Sequence, residues 1–269
     1  MGKYSPIGPL PILQELQRIN LLGNYLLLLG HDVRAHSAGY IELLRGCVNP
    51  FVILDNSAVE LGEPMMEELV NIFYQIGADK FRSAIVLPDV MGNRAKTLES
   101  VETMLRSIDG YTACSLPWMG IPQGETIAEV IQCAEGIRRM LGKNPSYWGV
   151  PRWIANNLGT RKDIAKLLSG RDFNDNAYEP NVHLLGMSSN LDDDITCAKL
   201  SGVMGIDSAN PIVLGLHVRD IMTQYEHMPR LEVEDHGSPY GEEVIFDYWQ
   251  TKHITPQVIA NIIKLRSVI

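Results

Sequence analysis

Strand-length apolar runs recur along the chain, each followed by a stretch with helical periodicity, and three of the runs stop on an aspartate. They are FVILD, ending at Asp55, SAIVLPD, ending at Asp89, and GVMGID, ending at Asp207. Runs that are apolar at nearly every position belong to strands buried on both faces, and their alternation with helices places them in a parallel sheet with helices packed on it. Seven or eight such units favour a closed (β/α)8 TIM barrel over an open doubly wound sheet, and 269 residues is a usual length for one barrel. A barrel presents its site at the C-terminal ends of its strands, so three strands that end on carboxylates imply acids gathered into one pocket for nucleophilic and acid/base work.

The individual units can be read off. NYLLLLG (24–30) is the first strand, FVILD the second, AIVLPD the third, and WMGIPQG holds the fourth. YWGVP is the fifth, VHLLGM the sixth and GVMGID the seventh. Between them, residues 37–46, PMMEELVNIFYQIGA, NRAKTLESVETMLRSI, IAEVIQCAEGIRRML, TRKDIAKLLSG and DDDITCAKLSG have helical spacing. The best apolar candidate for an eighth strand is PIVLGLHV (211–218), although it follows Asp207 closely. TPQVIANIIKLRSVI closes the chain as a helix, with Thr255 as N-cap and Pro256 in the first turn. No linker interrupts the pattern, which predicts one domain over residues 1–269.

The formal net charge is −9, so the whole-molecule field does not recruit nucleic acid. The basic residues are nevertheless unevenly spread. From Arg138 to Arg171 there are eight of them against one acid, Asp163, with Tyr147, Trp148 and Trp153 among them. Such a zone is either a contact surface for a phosphate backbone, with Arg152, Arg161, Lys162 and Lys166 as its members, or a solvated helical face. The four cysteines, Cys47, Cys114, Cys133 and Cys197, form no CxxC pair and no zinc spacing, which suits reduced thiols in a cytoplasmic protein. His217, His227, Asp235 and His236 match no metal-ligand pattern and read as surface residues. The expectation is no metal and no cofactor. No apolar run is long enough to span a bilayer and the N-terminus lacks a signal-peptide pattern, so no membrane association is expected.

The residues that follow each strand define the expected rim. They are Asp55, Asn56 and Ser57, then Asp89, Gln123 and Gly124, Gly149 and Val150, Gly186 and Met187, and Asp207. The set holds no histidine, lysine or thiol, which argues against Schiff-base, cysteine and histidine-relay chemistry. His183 sits inside a strand and reads as a structural histidine. Acids, an amide and bare backbone suit recognition of a polar, planar ligand. Each acid also has a local reading: Asp55 as the cap of the next turn, Asp89 as a loop-ordering group, Asp207 as the start of an Asx turn.

Taken in order, these motifs resemble the tRNA-guanine transglycosylases and their DNA-acting relatives. LDNS stands at the family's aspartate–serine turn, LPD at its base-binding aspartate, GIPQG at its glycine–glutamine–glycine turn and WGVPR at its base-contacting turn. HLLGMSSNLDDDITCAKLSGVMGIDSANP is similar to its leucine–glycine motif, acidic helix start and D-x-x-x-P. The resemblance covers residues 24–215. It implies that Asp207 is a nucleophile forming a covalent sugar ester and that Asp55 is the general base. Asp89 would bind guanine N1 and N2, while Gln123 and the backbone at Gly149 would serve O6. Gly124, Val150, Ser57, Gly186 and Met187 would complete the base site. Some positions depart from the pattern. Ser57 and Ala58 replace paired glycines, Glu125 replaces a glycine, Ile212 replaces an arginine, and no cysteine follows Cys197 to hold the zinc of the tRNA enzymes. A compact, zinc-free chain resembles the phage DNA-guanine transglycosylases, which insert 7-deazaguanines. The expected partners are therefore DNA and a free preQ0- or preQ1-like base, in the host cytoplasm if the protein is phage-encoded. The same exchange on tRNA, a nucleosidase and a non-catalytic binding subunit stay open as alternatives, as does a homodimer.

Overall fold

The computed structural model describes residues 3–169, 181–223 and 253–269. Eight parallel strands form one sheet. They are β1 (Lys3–Pro6), β2 (Tyr25–Leu29), β3 (Phe51–Asp55), β4 (Arg82–Val86), β5 (Trp118–Gly120), β6 (Tyr147–Pro151), β7 (Val182–Leu185) and β8 (Val203–Ser208). The spatial order β1-β8-β7-β6-β5-β4-β3-β2 is the order of a (β/α)8 barrel. β1 and β2 stand at the two ends of this order, and the seam between them is bridged by a side chain, with the Leu27 N–H donating to Ser5 Oγ at 2.7 Å.

The helices surround the sheet. After β1 comes α1 (Leu10–Arg18), after β2 come α2 (Gly30–Ala35) and α3 (Ser37–Arg45), and after β3 come α4 (Ala58–Leu61) and α5 (Glu68–Gln75). β4 is followed by α6 (Arg94–Ser107) and α7 (Gly110–Ser115), and β5 by α8 (Ile127–Leu141). Then come α9 (Arg152–Leu158) and α10 (Arg161–Leu168) after β6, α11 (Leu191–Ala198) after β7, and α12 (Asn210–Leu216) after β8. The last element is α13 (Pro256–Val268), capped by Thr255, whose side chain accepts the Val258 N–H as the sequence predicts. Asn93, Thr126 and Asn190 cap α6, α8 and α11 in the same way.

Strand alternation divides the core in two. Tyr25, Leu27 and Leu29 of β2 join Phe51, Ile53, Ala84, Val86, Met119 and Ile121 inside the barrel. Leu26 and Leu28 instead pack outward against the helices. Every strand of this kind needs apolar residues on both faces, which is why the strands read as unbroken apolar runs.

Two expectations require correction. PIVLGLHV is not a strand. Its residues form most of α12, with a proline at the start and Ile212, Val213 and Leu214 all buried, and an apolar run this short does not reveal its period. The missing strand is β1, at the other end of the sequence, only four residues long and ending on Pro6. The acidic stretches after Arg230, together with His227, Asp235, His236 and Arg171, lie outside the described residues. Among the described residues no helix is long and apolar enough to cross a membrane, and no group of three or more His, Cys, Asp or Glu is placed to hold a metal.

Candidate active site

A pocket of about 340 Å³ opens at the C-terminal ends of the strands, within the range of small-molecule sites. Asp55, Asp89, Gln123, Gly186, Met187 and Asp207 all line it, so three carboxylates separated by up to 152 positions in sequence meet in one place. Asp55 is the last residue of β3, Asp207 is the penultimate residue of β8, and Asp89 lies three residues beyond the end of β4. Apolar wall is supplied by Leu29, Val59, Ile121 and Met187 among others.

Asp89 is buried and held by two amides. Asn56 Nδ2 donates to its Oδ1 at 2.8 Å and Gln123 Nε2 to its Oδ2 at 2.7 Å. The amides are themselves anchored: Asn56 Nδ2 also donates to the Leu87 carbonyl, Asn56 Oδ1 accepts the Ala58 N–H, and Gln123 Oε1 accepts the Gly92 N–H. Burial raises the proton affinity of Asp89, while the two amide bonds favour its ionised form.

Asp55 is half-buried, and its Oδ2 accepts the Ser57 N–H at 2.8 Å. Burial, and after it the charge of Glu60, lifts its proton affinity well above the ordinary carboxylate range; the Ser57 bond works against this, and the charges of Asp89 and Asp207 add to it. Glu60 also lines the pocket, and its own affinity is raised by burial and lowered by Arg152. Nothing in the sequence reading had singled out Glu60. Its position five residues after Asp55, on the short helix α4, brings it back over the strand end.

Asp207 is almost fully buried where it lines the pocket. Its Oδ1 accepts the Gly186 N–H at 3.0 Å and lies 2.7 Å from His183 Nε2. Oδ2 has no hydrogen-bond partner among the described residues. On the other side of the ring, His183 Nδ1 lies 2.6 Å from the Tyr25 hydroxyl. Among the described residues that line the pocket there is no histidine, but the layer below supplies one. His183 reaches Asp207 because the β7–β8 register slips by one between Val182 and His183, which sets His183 beside Gly205 and turns both inward with Asp207.

Several expected contacts do not reach the pocket. Ser57 is fully buried at a left-handed φ of 57°, and its hydroxyl accepts the His31 N–H at 3.2 Å. Gly124 lies against the first turn of α8, where an added Cβ would meet Glu129 Cβ at 2.5 Å. Gly149 makes room for Leu185, whose Cδ1 would stand 2.6 Å from such a Cβ, and Val150 faces the outer core. Neither Gly149 nor Val150 lines the pocket.

The basic zone also divides. Arg161 is fully buried, with Nη1 2.9 Å from Asp194 Oδ1 and Nη2 donating to the Val150 and Leu185 carbonyls. It is therefore a structural cation with no face left for a phosphate. Trp148 is likewise core, with the Arg138 guanidinium over its ring. Arg152 and Trp153 line the pocket, Lys162 is half-buried and Lys166 is exposed.

No family model matches the sequence, and no curated protein does. Among solved structures, an N-acetylneuraminate lyase from Mycoplasma synoviae is similar over 83% of this chain and 76% of its own, with a TM-score of 0.44 and 11% identity. A likeness that slight has no bearing on activity.

Proposed function

We propose that this protein is a base-exchange transglycosylase that replaces guanine in DNA with a 7-deazaguanine base. The observation that carries the reading is the meeting of Asp55, Asp89 and Asp207 on one pocket in three different environments. Groups with different tasks need different surroundings to hold the right protonation states. Asp89, braced by two amides, suits two N–H donors on the edge of a guanine ring. Asp55, with its raised proton affinity, suits a group that alternately gives and takes a proton. Asp207, with Oδ1 tied and Oδ2 unpartnered among the described residues, suits a nucleophile.

The reaction then runs in two displacements, as in a retaining glycosidase. Asp207 Oδ2 bonds to the anomeric carbon while the bond from that carbon to guanine N9 breaks, and Asp55 gives the departing base its proton. The incoming 7-deazaguanine loses the proton of its ring N9 to Asp55. Its N9 bonds to the anomeric carbon, and Asp207 leaves as a carboxylate. A target base inside a duplex has to be extruded to reach such a pocket, or the substrate is single-stranded. Arg152, which lines the pocket, is the member of the basic zone placed to meet the strand there. The absence of any cysteine after Cys197 favours DNA over tRNA, since the tRNA enzymes hold zinc in that region.

The test is incorporation of labelled guanine into single-stranded DNA, duplex DNA and tRNA, with unlabelled preQ0 and preQ1 as competitors. Label entering DNA and displaced by a deazaguanine is expected. Entry into tRNA alone would move the substrate to RNA, and release of free base without incorporation would make the protein a nucleosidase.

A further inference from the structure

We infer that Tyr25 and His183 are positioning residues that hold the Asp207 carboxylate with Oδ1 fixed and Oδ2 presented to the pocket. The inference rests on the transglycosylase reading for its catalytic consequence, but the arrangement itself stands on geometry. The three side chains form a continuous buried line: Tyr25 hydroxyl to His183 Nδ1 at 2.6 Å, and His183 Nε2 to Asp207 Oδ1 at 2.7 Å. His183 is fully enclosed, and Tyr25 and Asp207 nearly so.

Each link is immobilised by the one before it. The Tyr25 ring stacks on Phe51, with centroids 5.5 Å apart and planes within 11°. It crosses the barrel over Gly205, where an added Cβ would meet Tyr25 Cε1 at 2.6 Å. A glycine at this point of β8 is what lets the tyrosine reach the histidine. Donor and acceptor roles follow from the ends of the line. Burial, and then the charge of Asp207, pushes the Tyr25 hydroxyl well above its ordinary range, so it keeps its proton and donates. A carboxylate oxygen only accepts, so the ring proton stands on Nε2 facing Asp207, and Nδ1 is left to accept from the Tyr25 hydroxyl. The Gly186 N–H donates to the same Oδ1. With two donors on one oxygen, the carboxylate cannot rotate to exchange its oxygens without losing both bonds.

This arrangement matters twice in a double displacement. In the attack, Oδ2 is the oxygen aimed at the anomeric carbon. In the return, the two donors on Oδ1 stabilise the carboxylate charge as it reappears, which is preorganised stabilisation of a leaving group. Neither Tyr25 nor His183 lines the pocket, so their loss affects the chemical step and leaves base binding alone.

The test combines a spectroscopic readout with a kinetic one. Histidine ¹⁵N NMR of the wild type, with His183 assigned through His183→Gln, is expected to show a neutral ring protonated at Nε2. In Tyr25→Phe and His183→Leu, kcat for base exchange is expected to fall on the order of 10-fold and 10²-fold respectively, with KM for the free base unchanged. His183→Gln, which keeps an N–H donor, recovers part of the loss. A ring protonated at Nδ1, a cationic ring, or folded variants with wild-type kcat would overturn the inference. A wild type without exchange in any polymer would end the transglycosylase reading alone, and the tautomer would then decide the relay by itself.

Discussion

Arg161 Nη1 lies 2.9 Å from Asp194 Oδ1, with both side chains removed from solvent. The same guanidinium holds the carbonyls of Val150 at 2.8 Å and Leu185 at 2.9 Å, while Asp194 Oδ2 accepts the Ser188 N–H at 2.6 Å. One ion pair thus ties the ends of β6 and β7 to the loop that carries Gly186 and Met187. Removing one partner strands a buried charge, so Asp194→Ala is expected to lower stability by about 3–5 kcal/mol. Urea unfolding measures it, and a change within the error of the wild type would mean that the pair is solvated.

Gln123 spends both ends of its amide on structure, bonding Asp89 Oδ2 and the Gly92 N–H. Gln123→Leu leaves both without this partner, at a cost of about 1–3 kcal/mol in stability. Base affinity is expected to fall about 10-fold as Asp89 loses its brace, a loss of ~1.4 kcal/mol in binding. Calorimetric titration with free guanine and a 7-deazaguanine checks the affinity. Unaltered binding would show that Asp89 is held well enough by Asn56.

Gly205 makes room both for the backbone of β1 beside it and for the tyrosine inside the barrel. An added Cβ would stand 2.4 Å from the Lys3 carbonyl oxygen and 2.6 Å from Tyr25 Cε1. Gly205→Ala is therefore expected to cost about 1–3 kcal/mol through overpacking. Base exchange should also weaken, because the Tyr25 hydroxyl moves away from His183. Thermal unfolding and the exchange assay read the two effects separately.

Asp55 makes stability depend on pH. Burial and the nearby Glu60 charge raise its proton affinity in the folded state well above the ordinary value, so the folded chain binds that proton more tightly than the unfolded one. The stabilisation is present in full below the unfolded value of about 3.9 and is lost as pH rises through the raised folded value. Asp55→Asn cannot ionise. It is expected to be more stable than the wild type above this window, to match it below, and to lose roughly 10²–10⁴-fold in exchange rate. Urea unfolding across pH follows the first effect; parallel stability curves for the two proteins would contradict the assignment.

Much of the fold is legible because buried parallel strands advertise themselves as apolar runs. β2 through β8 fall on the runs FVILD, YWGVP, GVMGID and their counterparts. β1 escapes because KYSP has four residues and a proline, and its place is set by pairing with β8, where Ser5 sits beside Asp207. α12 is misread because a helix buried on all sides has no polar face to betray its period. At the site, the strand-end rule finds the residues that line the pocket from their own strand ends. It also brings in Gly149 and Val150, whose part is packing and support. Asp207's bond to His183 is invisible in sequence, since it depends on a one-residue register slip between two strands. The burial of Arg161 is equally hidden, because a basic residue in a basic stretch gives no sign of the aspartate folded against it.

The covalent role of Asp207 is the centre of the account. Wild-type protein and Asp207→Asn would each be mixed with a guanine-containing single-stranded oligonucleotide, quenched in denaturant and weighed intact. The account predicts a wild-type species heavier by the oligonucleotide minus one guanine, discharged by added 7-deazaguanine and missing from Asp207→Asn. Base exchange proceeding in Asp207→Asn at the wild-type rate, or an adduct mapped to a different residue, would contradict it.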